Sequence, residues 1–322
     1  YNQAWNNSYY SYMMGSSSYG YNYTNYENYY DPDKYLKLFG ANLGWGKRLR
    51  WPDDYFMLSL QLSFTRYMLK NWKYFMMSTG SSNSLNLSIS LNRSSTDNQL
   101  FPRRGSEFTA SATITPPWSK WDNKDYKSLA NNPYSPNFQK EQQEKYRWIE
   151  YHKWKFKART FTALTSSQKC LVLMTRVELG ILGSYNKYKK SPFETYYMGG
   201  DGMSGYSSSY ATETIGLRGY ENGSLTTGNG GYAYDRFTLE LRYPLMLGNT
   251  TIYALSFLEG GNAWTETNKF NPFDMKRSAG VGVRIFLPMV GLMGIDWAYG
   301  FDKVSSGKIG GSQFHFILGQ EF

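Results

Sequence analysis

The residues best placed to do chemistry are one arginine and two acids. Arg218 lies in Gly216-Leu217-Arg218-Gly219-Tyr220, inside the turn-rich segment 183–231, and is the only arginine of that segment. Glu240 and Glu259 follow it on strand-like stretches. A guanidinium is a planar fork of N–H donors and can grip two carboxylates at once. The flanking glycines let the backbone turn tightly or approach another surface closely. A loop of this length inside a compact chain is more often a working part than a tether. The chemistry so specified is fastening rather than catalysis: a latch in which a loop folds back and its arginine docks on buried acids. The plain alternative is a solvated loop arginine.

Other chemistries find little support. There are two histidines, His152 and His315, and neither has a nucleophile context such as Gly-x-Ser-x-Gly. The single cysteine, Cys170, forms no intrachain disulfide and has no metal-binding spacing around it. No phosphate-binding glycine loop occurs, so no cofactor, nucleotide or metal is expected, nor an enzyme. The net charge of +10 fits an anionic membrane surface as well as nucleic acid. The basic residues make no stripe with RNA-binding motifs, so nucleic acid is not expected. Lys187, Lys189 and Lys190, beside Tyr185 and Tyr188, are candidates to meet anionic lipopolysaccharide, or form a merely solvated basic tip.

The elements that must position these groups are strands. Phe237, Leu239, Leu241, Tyr243 and Leu245 alternate with Arg236, Thr238, Glu240 and Arg242. Leu85, Leu87, Ile89 and Leu91 alternate with Asn86, Ser88, Ser90 and Asn92. Period 2 with one apolar and one polar face means half-buried strands. Candidate strands are 1–14, 35–46, 55–69, 84–93, 106–116, 147–164, 170–182, 231–243, 251–260, 277–287, 291–300 and 311–322, about twelve in all. The nearest competing helix, Gln139 to Trp148, is short. Glu240 falls on the polar face of its strand. Glu259 shares parity with Tyr253, Leu255 and Phe257, so either that aromatic side faces inward or a local irregularity turns the acid.

Connections alternate between short turns, as at 243–251 and 287–291, and long loops, as at 116–147, 182–231 and 300–311; the 93–106 connection is long for its place in the short series. Tight turns at one end and elaborate loops at the other are the pattern of an up-and-down barrel. Aromatic residues make up 18% of the chain, which suits the two girdles of a membrane barrel. Mean hydropathy is −0.58, compatible with strands that hide an apolar face by alternation. No apolar run is long enough for a transmembrane helix. Residues 1–20 lack the basic and apolar regions of a signal peptide. The fold expected is all-β, a transmembrane antiparallel barrel forming a single domain over 1–322, with 183–231 as a long extracellular loop folding into the lumen.

Four stretches resemble the outer-membrane insertase superfamily, in particular its BamA-like bacterial assembly branch. Leu217-Arg218-Gly219-Tyr220 is similar to the Val/Ile-Arg-Gly-Phe motif at the tip of that family's sixth extracellular loop, with Leu and Tyr in place of the usual Val and Phe. Phe101-Pro102-Arg103-Arg104-Gly105 resembles its Phe-Pro-x-x-Gly turn. Phe257-Leu258-Glu259-Gly260-Gly261-Asn262-Ala263-Trp264 resembles its aromatic-x-Asp-x-Gly-x-x-Trp segment, Glu259 standing where Asp is usual. The last strand, with Phe314, Phe316 and Leu318 on one face, Gly319 and a terminal Phe322, resembles the C-terminal signal of outer-membrane barrels.

The resemblance implies a latch of Arg218, Gly219 and Tyr220 against Glu240, Phe257 and Glu259, with Phe257 and Glu259 facing the lumen. It implies sixteen strands preceded by POTRA domains, so that roughly the first four strands and those domains are expected outside this chain. It also implies a seam beside the last strand, which Gly307, Gly310, Gly311 and Gly319 would weaken. The expected place is the outer membrane of a Gram-negative cell. Expected partners are outer-membrane lipids and lipopolysaccharide, client β-barrel proteins and accessory lipoprotein subunits. The expected work is folding and inserting barrels through that seam; the alternatives are a dedicated secretion pore of the same superfamily and a passive porin. Asp296 and Arg284 are expected inside the lumen as structural polar groups, and His315 is expected to point there too.

Overall fold

The computed structural model describes residues 33–72, 77–167, 169–191, 193–202, 213–226, 230–289, 291–304 and 306–318. The first half of its main sheet is β1 (Tyr35–Arg48), β2 (Phe56–Lys70), β3 (Gly80–Ser94), β4 (Gly105–Ile114), β5 (His152–Ala163) and β6 (Val172–Gly183). Inside the next connection, β7 (Tyr196–Met198) and β8 (Glu213–Ile215) pair in parallel as a separate ribbon. The main sheet continues with β9 (Ala233–Met246), β10 (Thr251–Trp264), β11 (Lys276–Leu287), β12 (Gly291–Lys303) and β13 (Ile309–Leu318). Its eleven strands are ordered as in the chain, each antiparallel to the next, with β1 and β13 at the two ends. Such a meander, with β6 passing directly to β9, is the wall of an up-and-down barrel.

The two faces invert the usual arrangement of a globular protein. Leu239, Leu241, Tyr243 and Leu245 of β9, Val281 and Val283 of β11, and Ile295, Trp297 and Tyr299 of β12 are all exposed. Their sequence neighbours Arg236, Thr238, Glu240, Arg242, Arg284 and Asp296 are buried. Apolar side chains outside and charges inside suit a wall surrounded by lipid, where lumenal groups alternate with lipid-facing ones. On β10 the aromatic side faces inward: Glu259 is 4% and Phe257 3% exposed, against 59% for Leu258. The parity of Glu259 is therefore regular, and no bulge is needed to turn it in.

The candidate strand 1–14 lies outside the described residues. The other eleven candidates each coincide with a strand of the sheet, but several boundaries shift, β9 and β10 running on to Met246 and Trp264 among them. Residues 147–151 do not begin β5. Trp148 instead bridges Asn83, and Glu150 is buried, accepting hydrogen bonds from the Ser119 backbone and hydroxyl. β3 starts at Gly80, because Ser82 and Ser84 continue its inward face. β12 and β13 pair further than expected, to Lys303 with Ile309 across a register shift, and this reduces the connection to 304–308. The long connection 115–151 holds two short helices, Trp118–Trp121 and Phe138–Lys145, the second overlapping the stretch judged nearest to a helix.

The long connections close one end of the wall. Tyr67 stacks on Phe193 at 4.5 Å, and Tyr196 meets Tyr234 edge-on at 4.7 Å. With Met77, Tyr146, Ile149, Tyr151, Met198, Ile215 and Leu217 they make a buried apolar cluster from three connections and the strands beneath. The lumenal groups are thereby held under a cap.

The inverted faces predict opposite tolerance to charge. Leu241→Lys, on the outer face, should cost about 2–4 kcal/mol if its position is near mid-membrane, whereas Ser88→Lys, on the inner face of β3, should cost under about 1 kcal/mol. Urea titration of the full-length protein in lipid vesicles, read by tryptophan fluorescence, checks this; equal costs would refute the assignment of faces.

Candidate functional site

The site is assembled where the connection between β6 and β9 meets the inner wall. Gly219 has φ +88°, a conformation that side chains other than glycine's adopt at a cost, and it turns the chain at the tip. A Cβ on Gly300 would lie 2.3 Å from the Gly219 carbonyl oxygen, and one on Gly310 2.6 Å from it. These two wall glycines thus make room for the tip backbone. Gly310 has a reason to be glycine beyond weakening the strand.

At this depth Arg218 is fully buried and meets three carboxylates. Its Nη2 donates to Glu240 Oε1 and Glu259 Oε1, both at 2.7 Å, and its Nη1 donates to Asp296 Oδ2 at 3.0 Å. Its backbone N–H donates to Glu259 Oε2 at 3.0 Å. The guanidinium lies 3.4 Å from the centroid of Phe257, so the ring face supports the cation from one side. Each acid is also held by an arginine of the wall. Arg242 donates to Glu240 at 2.9 Å, Arg236 to Glu259 at 2.9 Å, and Arg284 to both oxygens of Asp296 at 2.6 and 2.8 Å. The Thr238 hydroxyl donates to Glu259 as well. Glu240, Glu259 and Asp296 come from β9, β10 and β12, so one loop residue ties three strands.

The residues beside Arg218 extend the contact towards the end of the sheet. Gly219 N–H donates to His315 Nε2 on β13 at 2.9 Å. The Tyr220 hydroxyl donates to the Arg277 carbonyl on β11 at 2.6 Å and accepts from the Asp302 N–H at 3.3 Å.

A second set of contacts pins the same connection to the other wall. Lys153, Lys155, Lys157 and Arg159 line the inner face of β5. Lys153 pairs with Glu194 and Glu213 at 3.1 Å each, and Lys155 also pairs with Glu213; both acids belong to the connection. Lys157 pairs with Glu178 and Arg159 with Glu107, acids of the adjoining strands.

The structure brings Arg218, Gly219, Tyr220, Glu240, Phe257 and Glu259 together. Asp296 and Arg284, read from sequence as structural lumenal groups, belong to the same network: Asp296 is a direct partner of Arg218. Its signal was parity, a lone acid among Ile295, Trp297 and Tyr299. The Lys153/Lys155/Lys157/Arg159 ladder at every second residue was equally readable, and Glu213 was a carboxylate on the loop itself.

Phe101 and Pro102 of the turn motif are buried, Phe101 against Tyr253 at 5.3 Å, and Gly105 opens β4. Phe314, Phe316 and Leu318 point outward, 61–66% exposed, while His315 between them is 6% exposed and points in as expected. Gly319 and Phe322 lie outside the described residues.

Among the basic residues expected at the loop surface, Lys189 is corrected. It is 3% exposed, donates to the Tyr126 hydroxyl at 3.2 Å and lies 3.6 Å from Glu150. Burial pushes its pKa below the ordinary lysine value, against the pull of Glu150. It works inside the cap and has no face for a lipid headgroup. Lys190 packs over Tyr232, and Lys187 remains exposed over Tyr188.

A family model described as the Omp85 superfamily domain matches residues 4–322. Among solved structures the chain is similar to that of BamA from Haemophilus ducreyi lacking POTRA domains 1–3, with a TM-score of 0.59 and 19% identity. The match covers 88% of this chain and 54% of that one, so the chain spans about half its length. At that identity the likeness speaks for the fold. Comparison with curated proteins gives no match.

Because Arg218 is both loop anchor and counter-charge, Arg218→Ala should release the loop. The expected cost is about 3 kcal/mol, the lower end for breaking a buried pair, since each acid keeps one arginine of the wall. Arg218→Lys should fail to restore it, because a compact ammonium cannot span three carboxylates as a fork does. Limited proteolysis of the folded protein in vesicles checks both: cleavage within 184–232 should quicken at least about tenfold in each variant. Unchanged protection in Arg218→Ala would refute the anchoring role.

Proposed function

The chain belongs to the Omp85 superfamily, an outer-membrane β-barrel, and from that footing we propose that it is the barrel of a BamA-like insertase, which folds other β-barrel proteins into the outer membrane of a Gram-negative cell. The observation that carries the reading is the loop tip seated in the lumen, with Arg218 tied to β9, β10 and β12 and Gly219 to β13. A device that sets the inner shape of the wall right up to its last strand suits a protein whose work is done at that strand. An unpaired strand edge in lipid is costly, so an incoming strand is drawn to pair with any edge that opens. The client's own folding free energy supplies the drive; the reading needs no catalysis, nucleotide or cofactor.

The capped mouth supports this reading over a passive porin, since a seated loop and its ion pairs occupy the inner face of the wall from β9 to β13. A dedicated secretion pore of the same superfamily would use the same latch. The partners that go with the insertase reading are client barrels, accessory lipoprotein subunits, and outer-membrane lipid with lipopolysaccharide. For lipopolysaccharide, Lys187 is the remaining exposed loop candidate, with Lys190 partly buried.

Depletion of the full-length protein in its own cell, followed by heat-modifiability of many outer-membrane barrels, tests the function. Loss of the folded form across barrels as a class is the expected result. Normal folding of those barrels, with one secreted protein failing to appear outside, would replace the insertase by an exporter.

A further inference from the structure

Among the described residues, the side chain of His315 joins the last strand to the loop tip. His315 lies on the inner face of β13, buried, with its Nε2 accepting the Gly219 N–H at 2.9 Å. Acceptance at Nε2 requires a neutral ring with its proton on Nδ1. The tip backbone comes this close because Gly300 and Gly310 carry no Cβ. We propose that His315 is the positioning residue that fastens β13 to the seated loop, and that it does so in its neutral form only. When the ring is protonated, Nε2 becomes a donor facing another donor, and the buried Gly219 amide loses its acceptor.

The charged groups around the ring come from every side. Asp296 is directly opposite on β12, clamped by Arg284 and Arg218. Glu259 on β10, and Asp201 and Arg218 of the loop, also act on it. The carboxylates Asp296 and Glu259 are already engaged by arginines, so an imidazolium would enter a buried site beside the Arg218 cation with those two counter-charges taken, Asp201 being the acid that acts on it most. Release of β13 on protonation follows from local geometry alone. That this release serves client insertion rests on the insertase reading.

The test measures amide hydrogen-exchange protection of residues 309–318 in the full-length protein in vesicles at pH 8 and pH 5.5. Wild type should lose about tenfold protection as pH falls through the ordinary imidazole range near 6.5, as expected for a buried amide left without its acceptor. His315→Gln offers a carbonyl acceptor that does not titrate, and its protection should hold at both pH values. His315→Phe should be poorly protected at both. Parallel pH profiles for wild type and His315→Gln, or full protection in His315→Phe, would overturn the proposal. Client-barrel insertion is assayed on the same vesicles. Its absence would count against the insertase reading, while the exchange data decide the role of His315 separately.

Discussion

The structure depends on where the charge of Arg218 goes. Removing a guanidinium from water costs several kcal/mol unless carboxylates and good geometry compensate. The wall supplies Glu240, Glu259 and Asp296 from separate strands, converging on one point where they would repel each other without a cation between them. Their own arginines, Arg242, Arg236 and Arg284, sit behind them and leave the centre to be filled from the loop. Neither part is complete alone: the loop would bury an unpaired cation, and the wall would gather acids around a void. The seating of the loop and the spacing of the strands therefore fix one another.

A second constraint gives the loop its orientation. Its acids Glu194 and Glu213 meet Lys153 and Lys155 on β5, and its arginine meets acids on β9, β10 and β12. The two walls carry opposite signs where they receive the loop, so a reversed placement would set acid on acid and arginine on lysine. Specificity of this kind comes from what is repelled as much as from what is attracted. The apolar cluster of Tyr67, Phe193, Tyr196 and Leu217 then closes over the ionic layer and keeps water from it, which strengthens each pair beneath.

Much of this was legible in the chain, for reasons that also explain what was not. Strand positions could be read because period 2 leaves its mark on every residue, as in the Leu239–Leu245 face. The partnership of Arg218 with Glu240 was carried by parity and by family resemblance together. Asp296 was placed in the lumen correctly, but parity gives only the face and not the distance, so its direct contact with Arg218 was invisible. Lys189 shows the converse limit. A lysine in a run of lysines and tyrosines reads as surface, and only the fold reveals that Glu150 and Tyr126 wait beneath it. The early end assigned to β5 failed similarly: Arg147–Tyr151 has strand-like residues, but Glu150 is held by Ser119 from the other end of its connection.

The contacts of the loop tip are unequal, and the inequality has a direction. On β9, β10 and β12 the tip is held by charge, where breaking one buried partner costs about 3–5 kcal/mol. On β13 it is held by one hydrogen bond to a neutral ring, and on β11 by one to a carbonyl, each with a net worth of about 0.5–1.5 kcal/mol. Buried ion pairs are weak contributors to net stability but strong enforcers of a particular arrangement once formed. The tip is thus fixed by charge on β9, β10 and β12, whereas interior β11 and terminal β13 are each tied to it by a hydrogen bond alone. If the wall parts, this gradient makes β13 the side that yields, with the loop still seated on the strands behind it.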